Sequence, residues 1–176
     1  MPPTSNDLDL FILALIKNGC ANTYALKSKA GISVGSSAPV LERLEQSGLV
    51  RGSGPGVRAR RHFVITKSGQ TRLESSWQQL LSMRPTDPDV VLRITYLTWA
   101  LGRKTMVSDF IDASAITLGN AAATRRAEAN LLRPLVANLG GEAFRWLKTS
   151  FEAARFEAQS SALKELGKQI NKQKKK

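Results

Sequence analysis

One interruption of helical periodicity constrains this chain more than any other feature. Between Gly48 and Ser68 the apolar residues stop recurring every three to four positions. Leu49-Val50-Arg51 reads as a short strand, and Gly52-Ser53-Gly54-Pro55-Gly56 permits only a turn or loop. Arg58–Thr66 then alternates, with Phe63 and Ile65 on one face and His62, Val64 and Thr66 on the other. Two strands joined by such a tip make a β-hairpin.

Helical patterns flank the hairpin. Asp7–Lys17, with Asn6 or Asp7 as cap and Gly19 past its end, is apolar on nearly every side and should be central. Asn22–Ala30 is a second helix, with Tyr24, Leu26 and Ala30 as inward candidates and Gly31 as its stop. Ser33–Gln46 is a third, capped by Ser33, with Val40, Leu41 and Leu44 as its buried stripe and Gly48 closing it. Pro39 fits best in a first turn, so regular helix is expected to begin near Ser37. After the hairpin, Ser68–Met83 carries Leu73, Trp77, Leu80 and Leu81 at helical spacing. Three helices, a hairpin and a helix in this order describe a winged helix-turn-helix domain over residues 1–84.

Arg84-Pro85-Thr86-Asp87-Pro88 marks a boundary, since two closely spaced prolines end one helix and start another. Beyond it there is no strand signal, and helices are expected at 88–101, 105–118, 120–138 and 141–171. The predicted fold class is therefore mainly α with a small β-hairpin wing: a winged helix-turn-helix domain, an all-helical dimerisation domain over 88–171, and a basic tail over 172–176. In the last helix Phe144, Leu147, Phe151, Ala154 and Ala158 recur at 3–4 spacing, and Leu163, Leu166 and Ile170 follow after a phase slip. Phe144, Trp146, Leu147, Phe151, Phe156 and Leu163 offer more apolar surface than a small bundle buries, and they are the expected dimerisation residues.

Charge narrows the partner. The 176 residues carry 26 Lys and Arg against 14 Asp and Glu, a net of +12, which favours a polyanion. Residues 1–84 hold 11 basic and 5 acidic side chains, residues 85–163 hold 9 and 8, and residues 164–176 hold 6 and 1. The positive field thus has two sources, and the intervening stretch is nearly neutral.

The segment Gly31–Leu44 places Ser33, Gly35, Ser36 and Ser37 where the second helix of the motif would enter a major groove. Small residues there allow close approach, and hydroxyls with free N–H groups can meet phosphate or base edges. A Ser-rich cap with no partner is the bland alternative. Arg43, further along the exposed face, is the reserve reader. Arg58, Arg60 and Arg61 give the second hairpin strand a cationic edge suited to the duplex backbone or minor groove, with Arg58 and Arg60 pointing one way and Arg61 the other, toward the Phe63 face. The alternative there is charge that protects an edge strand from aggregation.

Other chemistry has little support. There is no GxSxG, phosphate-binding glycine loop, CxxC or HExxH, so no catalytic residue, cofactor or metal ligand is assigned. Cys20, the one cysteine, reads as a buried thiol, with redox sensing as the alternative. Trp77, Trp99 and Trp146, with Phe144, Phe151 and Phe156, read as packing, or else as the lining for a small apolar or aromatic effector. The start lacks a basic leader, and the apolar run Leu8–Ile16 is short and broken by Asp9, so a soluble cytoplasmic protein is expected.

Three segments of the first 83 residues together resemble the PadR-like winged-helix transcriptional regulators. Phe11–Ile16 with Thr23-Tyr24-Ala25-Leu26-Lys27 is similar to the family's first helix and Gly-Tyr-x-Leu element, with Thr23 in place of glycine. Gly35–Val50 resembles its recognition helix and exit to the wing, with Ser37-Ala38 where Leu-Tyr is usual. Arg60–Gln70 resembles the wing strand and its Tyr-x-Leu-Thr-x-x-Gly continuation, with Phe63 in the aromatic position. The resemblance implies dimers formed through helical C-terminal segments, and often repression. Thr23, Tyr24 and Lys27 complete the expected DNA-facing set. The expected function is a sequence-specific regulator, a repressor binding a palindromic operator in double-stranded DNA as a homodimer. A winged-helix module for protein or RNA contact is the alternative.

Overall fold

The computed structural model describes residues 7–53, 61–83, 85–133 and 141–173. These form α1 (Asp7–Lys17), α2 (Thr23–Ala30), α3 (Val34–Gln46), β1 (Val50–Ser53), β2 (His62–Ile65), α4 (Lys67–Leu81), α5 (Pro88–Ala100), α6 (Lys104–Leu132) and α7 (Gly141–Gln173). The fold is helical with one antiparallel hairpin, the winged helix-turn-helix order expected from sequence. The chain divides into two compact units, Met1–Met83 with Leu92–Arg103, and Arg84–Val91 with Lys104–Lys176.

In the first unit, α1 buries Leu10, Ile12, Leu13, Ala14, Leu15 and Ile16 and packs against α3, α4 and β2. Its near-continuous apolar sequence suits a helix covered on several sides. α2 starts where Asn22 Oδ1 accepts the Ala25 N–H at 2.8 Å. It stops at Gly31, whose left-handed φ of 69° lets the Ile32 N–H return to the Leu26 carbonyl at 3.2 Å. Tyr24, expected inward, is exposed, because the inner face of this short helix is Thr23 and Leu26, one turn apart.

The hairpin pairs Val50 with Ile65, Arg51 with Val64, Gly52 with Phe63 and Ser53 with His62. Phe63 is buried while His62 and Val64 are exposed, as the alternation predicts. Thr66 then caps α4: its Oγ1 accepts the Gly69 N–H at 3.1 Å and donates to the Gly48 carbonyl at 2.7 Å. A Cβ on Gly69 would stand 2.1 Å from the Leu49 carbonyl oxygen, so the Thr-x-x-Gly spacing is a steric requirement.

Residues 92–103, expected with the second half, belong to the first unit. The Arg93 guanidinium pairs with Asp7, and Tyr96 meets Phe11 edge-on with ring centroids 5.3 Å apart. Two prolines mark where a helix ends, but they do not say which core the next helix joins.

The second unit is a pair of long helices lying antiparallel, with Ser108 beside Asn171 and Glu128 beside Arg145. The helices expected at 105–118 and 120–138 are one continuous α6 through Gly119 to Leu132; residues 134–140 lie outside those described. Glycine inside a helix costs about 1 kcal/mol relative to alanine. Here it faces α7, where even an added Cβ would sit 3.6 Å from Ser160 Oγ, and pairing carries the helix through. Along α7 the buried residues Thr149, Ala153, Phe156, Ser160, Leu163, Gly167 and Ile170 alternate in steps of four and three, as in a coiled coil. Small residues bring the backbones close enough for Ser160 Oγ to donate to the Ala115 carbonyl at 2.7 Å. α7 runs to Gln173, two residues into the segment expected as tail.

Candidate nucleic-acid interface

The turn Gly31-Ile32-Ser33 sets α2 and α3 in a helix-turn-helix. Ser33 Oγ accepts the Ser36 N–H at 3.1 Å, and the two hydroxyls lie 2.8 Å apart. Ser33, Val34, Gly35 and Ser36 are all exposed, so the first turn of α3 offers hydroxyls and backbone to solvent at the positive end of the helix.

Ser37 departs from the expected set. It is fully buried at 0% exposure, and its hydroxyl turns back toward the Val34 carbonyl. The buried stripe of α3 is Ser37, Val40, Leu41 and Leu44, so Ser37 extends the core face by one turn and cannot reach a groove. Thr23 is buried for the matching reason on α2, whereas Tyr24 and Lys27 are exposed. Pro39 also differs from expectation: α3 begins at Val34 and contains the proline. The missing N–H would have met the Gly35 carbonyl, and Gly35 is exposed, so water can satisfy that oxygen.

Arg43 is half exposed and occupied. Its Nε donates to Asp9 Oδ2 at 3.1 Å and its Nη2 meets the other carboxylate oxygen. That hydrogen-bonded carboxylate raises the arginine pKa further above its ordinary value. The pair ties α3 to α1. Val34 and Glu42 lie on the exposed face of α3 although neither was expected there. The helical period could have found Glu42, since positions 35, 39, 42 and 46 lie opposite the Val40–Leu41–Leu44 stripe.

On the hairpin, Arg58 and Arg60 lie outside the described residues. Arg61 is held within the unit: its Nη2 is 2.7 Å from Glu45 Oε1, and its guanidinium lies 5.4 Å from the Phe63 ring centre. Arg51, outside the expected set, is exposed on β1 opposite Val64.

The expected dimerisation residues separate into two groups. Phe144 and Phe151 are 71% and 68% exposed, Leu147 is exposed, and Trp146 is half-buried. Phe156 and Leu163 instead lie in the seam against α6, at 9% and 6% exposure. The apparent phase slip in the sequence is thus two different faces. Phe144, Leu147, Phe151, Ala154 and Ala158 form an outer stripe, roughly opposite the inner seam. Leu131, near the end of α6, is exposed as well. Of the aromatic residues singled out, Trp77 and Trp99 belong to the first unit, and Trp146 with the phenylalanines of α7 to the second.

Among the described residues, no three His, Cys, Asp or Glu side chains gather where a metal could bind, and no helix is long and apolar enough to cross a membrane. No family model matches the chain, and no curated protein matches it. Among solved structures it is similar to Bacillus subtilis PadR, crystallised in complex with operator DNA. The identity is 18% over 94% of this chain and 99% of that chain, with a TM-score of 0.41.

Proposed function

We propose that this chain is a sequence-specific DNA-binding transcriptional regulator, and not an enzyme. The observation that carries this reading is the first turn of α3. Ser33, Val34, Gly35 and Ser36 stand exposed on a helix locked to its scaffold by Ser37, Val40, Leu41 and Leu44 beneath and by Arg43–Asp9 at the side. A recognition helix needs small groove-facing residues on a rigid support, and this turn has both. Ser36 is its polar base reader, and Tyr24 and Lys27 flank it. Arg58 and Arg60 of the wing follow phosphate or the minor groove, and Arg51, exposed on β1, is a further cation of the hairpin.

The chain acts as a homodimer and, following the resemblance of its first 83 residues, as a repressor. Phe144, Leu147 and Phe151 supply the dimer face, since an isolated helix pair leaves that stripe in water. Two-fold symmetry would set two recognition helices roughly 34–36 Å apart on a palindromic operator.

Selection of bound duplexes from a random pool tests the reading. A palindromic consensus is expected, and recovery of no consensus would remove operator specificity. Arg58→Ala or Arg60→Ala should each weaken every duplex about equally and lower the salt slope by about one unit. Ser36→Ala should change the consensus, with discrimination altered by roughly 1–3 kcal/mol at one base.

A further inference from the structure

The root of the hairpin carries a side-chain clasp that spans three elements. Glu45, in the last turn of α3, presents one carboxylate oxygen, Oε1, to two donors. It accepts the Gly52 backbone N–H of β1 at 3.1 Å and the Arg61 guanidinium at 2.7 Å. Arg61 precedes β2 and lies over the ring of buried Phe63, whose own N–H donates to the Ala21 carbonyl at 2.6 Å. Gly52 completes the arrangement, because a Cβ there would fall 2.5 Å from Arg61 Nη2 and 2.8 Å from Glu45 Oε1.

An exposed ion pair would contribute little. This one is about two-thirds buried on both sides, at 35% and 31% side-chain exposure, and a backbone amide shares its acceptor. A charged acceptor serving two donors at once is among the stronger arrangements available to a small hairpin.

We propose that Arg61 is a positioning residue rather than a phosphate contact: through Glu45 and the space left by Gly52, it fixes the wing to the recognition helix before DNA arrives. The proposal rests on the DNA-binding reading and deepens it. The hairpin is short, and by itself a two-stranded ribbon is marginal in water. Clasped to the end of α3, it keeps a set distance from the exposed first turn of that helix. A wing already in place costs less ordering on binding and fixes the register between wing and groove contacts.

Three substitutions open the clasp in electrically different ways. Arg61→Ala removes a positive charge, Glu45→Ala removes a negative one, and Gly52→Ala displaces the guanidinium without changing charge. Hydrogen exchange on the free full-length protein gives the first measurement. All three should speed exchange of β1 and β2 amides by roughly tenfold, with the α1 core amides unchanged. Unchanged hairpin exchange in all three would overturn the clasp.

The second measurement is binding to a 30-base-pair duplex of arbitrary sequence, titrated with salt. All three variants should bind several-fold more weakly with the wild-type salt slope. The decisive sign is that of Glu45→Ala. If Arg61 contacted phosphate, removing its carboxylate partner would free the guanidinium and tighten binding, and Arg61→Ala would lower the slope by about 0.9. Either result overturns the positioning role. Wild-type protein that binds no duplex would instead refute the DNA reading and the wing's role in it, while the exchange data still decide whether the clasp anchors the hairpin.

Discussion

The two units of this molecule solve the same problem by different means. The first, built on α1–α4 and most of α5, is specified point by point. Asn22, Ser33 and Thr66 each accept a backbone N–H at a helix start, and Gly69 clears the path of a carbonyl. The second, α6 with α7, is specified by repetition: a seven-residue rhythm of small and aliphatic side chains along a seam. Point specification exposes particular residues at particular places, which a recognition surface needs. A repeated seam yields long smooth faces, of which the outer one carries Phe144, Leu147 and Phe151. Single substitutions should therefore be severe at a few positions in the first unit. In the second they should be mild within the seam and severe only where another surface is met.

The largest expected effect tests that last clause. Phe144→Ser combined with Phe151→Ser should convert the proposed dimer to a 19.2 kDa monomer in sedimentation at low micromolar concentration. Buried aromatic anchors at interfaces are commonly worth more than about 2 kcal/mol each. Helix content should persist, because neither residue lies in the α6–α7 seam. A dimer that survives both changes would move the interface elsewhere.

Next in size is one chemical change made in both regions. Gly69→Ala should destabilise by about 3 kcal/mol, since its Cβ would enter the Leu49 carbonyl at 2.1 Å and backbone must move. Gly119→Ala should be neutral or stabilise by up to about 1 kcal/mol, because its Cβ meets only Ser160 Oγ at 3.6 Å and alanine is the better helix former. Urea unfolding of the two variants checks the pair. Equal effects would erase the distinction between the units.

A smaller loss is expected from Asn22→Ala, which removes the acceptor for the Ala25 N–H at the start of α2. Caps of this kind contribute about 1 kcal/mol. A thermal melt of the variant reads it, and an unchanged midpoint would mean that packing alone holds α2.

The smallest effect is a pH dependence in the second unit. Hydrogen bonds from Arg125 and then Arg145 hold the Glu128 carboxyl below its ordinary value of 4.5. A lowered folded pKa means the stabilisation is fully present above the ordinary value and lost as pH falls through the lowered one. Glu128→Gln should therefore be less stable than wild type at neutral pH, with the difference shrinking in acid and in high salt. A pH-independent difference would assign it to packing.

Much of the architecture is legible in the sequence. Gly31 and Gly48 mark where α2 and α3 end, and the alternation at 62–65 gives strand and facing together. Part of the site was legible too: Ser33 caps α3, and Ser36 is exposed beside it. Ser37 was misplaced because its residue type suggested surface, although extending the Val40–Leu41–Leu44 stripe back one turn would have placed it inside. Arg61 shows a different limit. Its charge was visible, but its partner Glu45 stands sixteen residues away, and no local rule pairs them.

By itself, the sequence determined what depends on near neighbours. The Ser33 cap, the stop at Gly31 and the strand facing at 62–65 follow from contacts within a few residues, and the basic character of the first half follows from composition alone. The tertiary structure alone decided which core a helix joins, which charges are already paired and which of two apolar stripes faces water. α5 joined the first unit through Asp7–Arg93 and Phe11–Tyr96, partners more than eighty positions apart in the chain. Both faces of α7 carry apolar side chains, and the close approach at Ser160 and Gly167 marks the inner one as the seam, with Phe144, Leu147 and Phe151 left outside. Burial is a property of pairs of surfaces, and a sequence read along its length shows only one surface of each pair.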